Sequence, residues 1–346
     1  ETHIVHSINE DFSPPLSDFP ETIYRPDIIN KLNEVKQKSE EAAEVLRQLT
    51  LEHESYAIMY DEFVKIAILL QQIVPSNSTN AQSMCEQRDG MEQELSLRVS
   101  NLVSIRITLH EKFKLILQSL NEIQSIILDD ELISWKRRQQ LKGNGVPFND
   151  NLGDIQKWCE ELAKHIWKTR QQIREAEHLK IKFIVDEPVF PDPLPQFSHQ
   201  ITQLLSSLVT SSFVVERQPP QVLKTNTRIQ AAVRFLVGGE LSVYMNPPEV
   251  RVSILSENQA HVLLKNDRIG NYTHDLPSGE LLNNIGVMEF NAATKNLTVS
   301  FRNMQLKKIK RAEKKSTESV MDEKFALFFQ SKFCVGGGEL MFQVWT

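Results

Sequence analysis

From Ile28 the apolar residues recur at alternating spacings of four and three: Ile28, Leu32, Val35, Ser39, Ala42, Leu46, Leu49, His53, Tyr56, Tyr60, Phe63, Ala67 and Leu70, with Ser39 and His53 the polar exceptions. A seam of this period sustained for six repeats predicts one very long helix packed at a shallow angle. Pro75, Ser76 and Asn77 end it. His53 reads as a core-edge histidine with a local partner rather than as a ligand. A second seam runs through Val99, Leu102, Arg106, Leu109, Phe113, Ile116, Leu120, Ile123 and Ile127, in a segment free of proline from about Asn80 to Lys142, and Gly143 and Gly145 break it. A third pattern begins near Asn151 (Ile155, Trp158, Leu162, Ile166, Ile173, Ala176) and ends near Phe183. Pro188, Pro191, Pro193 and Pro195 part it from a fourth run through Ile201, Leu204, Leu205 and Leu208. The expected architecture is an antiparallel four-helix coiled-coil bundle with two helices far longer than the other two. Helices that outrun their partners leave surface exposed, so the rod reads as a docking platform, with a plain spacer as the alternative.

Near Ser211 the period changes. Phe213–Val215, Val222–Leu223, Ala231–Val237, Leu241–Met245, Val250–Leu255, Val287–Phe290, Leu297–Phe301, Phe325–Phe329 and Leu340–Thr346 are short β-favouring runs. Turn residues separate them: Pro219-Pro220, Gly238-Gly239, Asn246-Pro247-Pro248, Asn271 and Pro277-Ser278-Gly279, with Gly336–Gly338 as a hairpin turn. Short alternating strands between regular turns predict an immunoglobulin-like antiparallel β-sandwich. The last run is still strand-like at Thr346, so the sandwich is expected to be incomplete at its C-terminus. The division is then 1–25 linker, with Pro14, Pro15 and Pro20 among polar residues, 26–212 coiled-coil domain and 213–346 β-sandwich domain.

Charge splits along the same line. Residues 1–210 hold 22 Lys and Arg against 32 Asp and Glu, whereas residues 211–346 hold 17 against 13. The helical part would repel a polyanion and the β part would accept one. The three cysteines, Cys85, Cys159 and Cys334, are scattered, which excludes a disulfide framework or zinc spacing and fits a reducing compartment. No apolar run reaches membrane-spanning length, so no membrane insertion is expected.

The sequence holds no GxxxxGK[ST], GxGxxG, GxSxG or HExxH motif, so neither an enzyme, a metal site nor a cofactor is expected. The chemistry-bearing feature is the run from Arg302 to Lys315, which sets Arg302, Lys307, Lys308, Lys310, Arg311, Lys314 and Lys315 against one acid, Glu313. It reads as a solvated loop, a nuclear-import signal or a phosphate-contacting patch. Lys224, with Thr225 and Arg228, follows Pro219-Pro220 in a loop where a lysine meets a phosphate or a base edge, or simply solvent. Neither segment interleaves aromatics, which favours duplex DNA over single strands. The rival reading is a structural coiled-coil adaptor whose basic β-domain binds protein or anionic surfaces.

Three stretches carry a resemblance: ELISWKRRQQLKGNGVPFND (Glu131–Asp150), SSFVVERQPPQVLKTNTRIQAAVRFLVGG (Ser211–Gly239) and FRNMQLKKIKRAEKKSTESVMDEKFALFF (Phe301–Phe329). They resemble the STAT family, the signal transducers and activators of transcription, and look most like its invertebrate members. The resemblance implies a phosphoprotein of JAK-STAT signalling that is cytoplasmic until a receptor-associated tyrosine kinase modifies it. It then forms a phosphotyrosine-dependent homodimer, enters the nucleus with importin and activates transcription from TTC–GAA-type palindromes. It implies that Lys224 is the groove-contacting lysine, that Glu323, with Lys324 beside it, lies next to the DNA backbone, and that Lys307 and Lys310 belong to the import surface. The family's base-reading asparagine, linker domain, SH2 domain, tyrosine and N-terminal domain have no counterpart in these residues. The resemblance therefore implies weak DNA binding by this piece alone. A resting dimer, made by coiled coil and sandwich, is a further expectation.

Overall fold

The computed structural model describes residues 25–72, 79–142, 145–148, 150–182, 192–265, 278–310 and 324–346. Expectations set on the linker to residue 24, Pro75–Asn77, Gly143, Pro188, Pro191, Asn271, Pro277, Arg311, Lys314, Lys315 and Glu323 lie outside these residues. The described chain separates into two compact units, Pro26–Gln124 with His165–Leu204, and Ser125–Lys164 with Leu205–Thr346 and Arg25.

The first unit is helical. Helices α1 (Pro26–Gln72) and α2 (Thr79–Ser125) are each 47 residues long. They run antiparallel, as the pairs Lys31–Glu122, Glu41–Lys112 and Glu52–Arg98 require. Such surface pairs contribute about 0–1 kcal/mol each and set register more than stability. The drive is apolar. Ile28, Leu32, Val35, Ala42, Leu46 and Leu49 of α1 are buried, as are Leu102, Leu109, Phe113, Ile116, Leu120 and Ile123 of α2. Helices α4 (Leu152–Lys182) and α5 (Leu194–Ser211) add Ile173, Ala176, Phe197 and Ile201. Asp192 caps α5 by accepting the Leu194 N–H at 3.0 Å, and its second oxygen takes Lys180 at 2.8 Å.

Both polar interruptions of the first seam find partners. Gln172 of α4 donates from Nε2 to the Ser39 carbonyl at 3.0 Å. Arg106, the polar member of the second seam, lies with Nη2 2.9 Å from His53 Nε2. A guanidinium only donates, so Nε2 accepts and the imidazole is neutral. The seam is not buried throughout, however: beyond His53, Phe63, Ala67 and Leu70 are only half-buried and Tyr60 is 49% exposed. Helix α4 explains the change. It stands level with Ser39 at Gln172 and ends at Lys182, about 15 Å further on at ~1.5 Å per residue. The last turns of α1 have α2 for company and little else.

The second unit begins with a surprise for a proline-free helix: residues Ile126–Leu132 form a π-helical turn before α3 (Ile133–Lys142). Buried Glu131 in that turn takes the Arg25 guanidinium. Gly145, at φ +86°, reverses the chain. Asp150 then caps α4 at the Leu152 N–H (3.1 Å) and accepts the buried Trp135 indole N–H (3.0 Å).

Two antiparallel sheets follow, packed as an immunoglobulin-like sandwich. One orders β1 (Phe213–Arg217), β2 (Arg228–Phe235), β7 (Asn296–Ile309) and β4 (Gly279–Leu282), with β6 (Glu289–Asn291) also on β7. The other orders β5 (Ile285–Val287), β3 (Glu249–Ser256), β8 (Phe325–Val335) and β9 (Leu340–Trp345). Phe235 meets Phe333 at 4.9 Å between ring centroids and Phe301 meets Phe329 at 6.0 Å, joining the sheets. Edge strand β1 is covered by Gln139 of α3, whose Nε2 donates to the Val215 and Glu216 carbonyls at 2.9 and 2.8 Å.

Two expected strands fail. Val222–Leu223 stays irregular, and Leu241–Met245 is a turn ending in a 3-10 helix (Val243–Met245), because Gly238-Gly239 begins a series of reversals that curls the segment back on itself. The Gly336–Gly338 run does make the β8–β9 hairpin, all three residues at positive φ.

Burial holds the His53 side chain far from its ordinary titration, with the adjacent Arg106 charge adding to the effect, and lowers its pKa to about 4. Burial shifts His110 the same way. The unfolded chain takes up these protons near pH 6.5, so stability present above that value falls as the pH drops toward 4. By pH 5 the loss from His53 alone is about 2 kcal/mol. Thermal midpoints should therefore fall between pH 7 and 5, and His53→Gln, which keeps an acceptor for Arg106, should flatten that slope. Equal slopes for both proteins would contradict the assignment.

Candidate nucleic-acid interface

The cations singled out in the β part converge because three strand ends meet. Lys224 and Thr225 lie in the ten-residue connection between β1 and β2, and Arg228 opens β2. The basic run is not a loop at its start: Lys307 and Lys308 belong to β7 and Lys310 follows it directly. Strand β2 pairs with β7 in a register that sets Arg228 opposite Gln305, and the Asn226 N–H donates to the Leu306 carbonyl at 2.7 Å. The Lys224–Thr227 segment thus sits one residue from Lys307.

Ser278 ties this corner to the other sheet. Its N–H donates to the Ile254 carbonyl (3.0 Å), its carbonyl accepts from the Lys310 N–H (2.7 Å), and its hydroxyl donates to Gln259 Oε1 (2.6 Å) at the start of α6 (Glu257–Lys265). The Ser256 N–H reaches the same hydroxyl at 3.2 Å, and Ser256 is the partner of Phe325, the first residue of β8. Lys324, just before β8, therefore joins the same end of the sandwich. Lys224, Thr225, Arg228, Lys307, Lys308, Lys310 and Lys324 are all exposed. Arg302, also exposed, stands apart, about 20 Å down β7 from Lys308 at ~3.3 Å per residue.

Two residues with no basic character shape this end. Glu280 of β4 pairs with Lys307 (2.9 Å), both side chains being 53% exposed. Gly279 pairs with Ile309, and a Cβ there would stand 2.7 Å from the Lys308 carbonyl oxygen, so only glycine lets β4 close on the basic strand. Strand β4 and α6 escaped the sequence reading. The four residues of β4 follow a turn signal too closely to show a period, and Glu257 directly continues a strand.

Among the described residues no group of three or more His, Cys, Asp or Glu side chains could hold a metal ion. Cys159 is buried and its thiol is pushed up to about 12 by that burial, which removes it from thiolate chemistry. What the site can do is present donors and positive charge to an anionic surface, with the exposed side chains at the end of β7 and loop residues at its rim.

An acidic helical bundle followed by an immunoglobulin-like sandwich with a cationic end defines a multidomain binding protein. Residues 29–205 match the family model described as STAT transcription factor, coiled-coil domain, and residues 217–346 match that of the STAT protein DNA-binding domain. The chain belongs to the STAT family. It is 39% identical over 251 residues to the signal transducer and transcription activator of Drosophila melanogaster, a match spanning 72% of this chain and 31% of that protein. The chain thus spans under a third of that relative's length. Among solved structures, the crystal structure of STAT2 in complex with IRF9 aligns at a TM-score of 0.40 and 16% identity, over 53% of this chain and 97% of that one.

Two substitutions test this geometry. Gly279→Ala should destabilise the sandwich by about 1–3 kcal/mol, read as a lower denaturation midpoint, because β4 must move away from β7. Glu280→Gln should raise affinity for any duplex at low salt by roughly two- to fivefold, since it frees Lys307 and removes a repelling charge. Unchanged affinity would mean that Lys307 takes no part in binding.

Proposed function

We propose that the cationic end of the sandwich binds palindromic duplex DNA of the TTC–GAA type, as part of a signal-responsive transcription factor. The observation that carries this reading is the gathering of six exposed cations, Lys224, Arg228, Lys307, Lys308, Lys310 and Lys324, from both sheets at one end of a STAT DNA-binding domain. Phosphate neutralisation by such a cluster supplies affinity, while sequence preference needs contact with base edges. Lys224 is the residue assigned to the groove, with Thr225 and Arg228 beside it and Glu323 and Lys324 near the backbone. Productive binding belongs to a phosphotyrosine-dependent homodimer of the longer protein, downstream of a receptor-associated tyrosine kinase.

The same reading gives Lys307 and Lys310, with the rest of the Arg302–Lys315 run, a role in importin-dependent entry to the nucleus from the cytoplasm. It gives the coiled coil the task of docking protein partners. The name of the Drosophila relative, signal transducer and transcription activator, supports the transcriptional part.

The deciding experiment titrates this chain against a labelled TTC–GAA duplex and a scrambled duplex by fluorescence anisotropy, at low and physiological salt. Weak binding that still prefers the palindrome is expected of this chain alone. Lys224→Ala should reduce it by about 1–3 kcal/mol and relax the discrimination between duplexes. Equal and salt-fragile binding would limit these residues to phosphate contacts. No binding at low salt would favour the adaptor reading, in which the basic end meets protein or another anionic surface.

A further inference from the structure

We propose that Asn226 and Gln305 are positioning residues that hold the Lys224 backbone against β7, so that the lysine meets DNA from a fixed turn rather than from a free loop. The inference rests on the reading of Lys224 as a DNA-facing residue. Residues 218–227 form a ten-residue connection that includes Pro219 and Pro220, and most of it makes no ladder. Its last four residues are different. The Thr227 hydroxyl donates to the Lys224 carbonyl at 2.6 Å, and the Thr227 N–H approaches the same oxygen at 3.4 Å, closing a turn over Lys224–Thr227.

The third residue of that turn, Asn226, sits at φ +62°. Asparagine and glycine adopt this left-handed conformation readily, and a β-branched residue does not. Both backbone polar groups of Asn226 are then spent on β7: its N–H on the Leu306 carbonyl (2.7 Å) and its carbonyl on the Gln305 Nε2 (2.8 Å). The strand they grip is itself fixed on both sides. Gln305 pairs with Arg228 of β2 and Leu282 of β4, Leu306 pairs with Leu281, and the Leu306 side chain is buried.

A long, exposed lysine loses rotamer freedom when it binds, and a mobile backbone beneath it would add to that loss; fixing the backbone beforehand removes the second part. Neither Asn226 nor Gln305 carries charge. Their effect should therefore appear in affinity for the preferred duplex and not in the slope of affinity against salt, which counts phosphates neutralised.

The test compares Lys224→Ala, Asn226→Gly, Asn226→Val and Gln305→Leu in this chain, using TTC–GAA and scrambled duplexes across a salt series, with thermal midpoints and amide hydrogen exchange at Asn226. Asn226→Val and Gln305→Leu should weaken palindrome binding roughly three- to tenfold. Scrambled-duplex binding and the salt slope should stay as in the unaltered chain. Asn226→Gly, which keeps the left-handed turn, should bind like the unaltered chain. The Asn226 amide should exchange faster in Gln305→Leu at an unchanged melting temperature.

If Lys224→Ala weakens binding while Asn226→Val and Gln305→Leu do not, the positioning role is wrong and the DNA reading stands. If Lys224→Ala is silent, Lys224 leaves the site and the positioning role built on it is wrong; absence of duplex binding by the unaltered chain, even at low salt, is what sinks the DNA reading. Equal losses on both duplexes, an Asn226→Gly as weak as Asn226→Val, or unchanged amide exchange would each overturn the clamp.

Discussion

Strand β7 is the constraint on which the β part depends. Over 14 residues it must bury Leu297, Val299, Phe301, Met304 and Leu306 against the opposite sheet, and it is paired along its length by β2, β6 and β4. A strand so engaged has one available register, because a slip of one residue would turn its apolar face to water. That burial fixes where the intervening side chains go. Lys307 reaches solvent because Leu306 beside it is held in the core, Lys308 follows a register shift in the β4–β7 pairing and is also exposed, and Lys310 is anchored at its N–H by Ser278. The cationic end is thus a by-product of core packing rather than a separately stabilised surface. An exposed lysine cluster costs little to fold when the backbone beneath it is set by apolar contacts elsewhere.

The helical part solves a related problem with polar residues inside the seam. An unpaired hydroxyl, imidazole or guanidinium in that position would carry a desolvation penalty of about 1–3 kcal/mol or more. Ser39 escapes because its backbone carbonyl and hydroxyl face Gln172 of α4, and His53 and Arg106 meet across the two long helices. Each pairing works at a single longitudinal register. Leucines at the same positions would pack in several registers, so the polar pairs contribute alignment while the flanking Leu49, Leu102 and Leu109 contribute stability.

These particulars explain what the sequence disclosed and what it withheld. The seams of α1 and α2 were legible because a 4-3 repeat over six turns of the pattern has no competing interpretation. Strands β1, β3, β8 and β9 were legible from alternation bounded by turn residues. The exposure of Tyr60 was not, since it depends on where a neighbouring helix stops. The π turn at Ile126–Leu132 interrupts neither composition nor period in a visible way. Strand β4 is defined by what it pairs with rather than by its own four residues. Of the site, Lys224, Arg228 and the basic run stood out by charge and by resemblance. Gln305 and Ser278 did not, because their significance is a hydrogen bond to a residue about 80 or 30 positions away, as in Gln305 to Asn226 and Lys310 to Ser278. The one local signal for the clamp was the Thr225-Asn226-Thr227 triplet, a turn-prone trio that says nothing about its partner strand.

The charge distribution sets a last condition on any binding at the cationic end. The whole chain carries a formal charge of −6, with the excess acid in residues 1–210. The Debye length is about 30 Å at ionic strengths near 0.01 M and about 8 Å near 0.15 M, so at the higher value local arrangement governs. Added salt should weaken whatever phosphate contacts Lys307, Lys308 and Lys310 make. Within that shorter range the balance at the site is set by near neighbours. Glu280 neutralises Lys307, whereas among the described residues no acid forms an ion pair with Lys224. At that ionic strength an exposed lysine acts through short-range contact, and a backbone fixed in advance leaves it less conformational freedom to lose when it makes one.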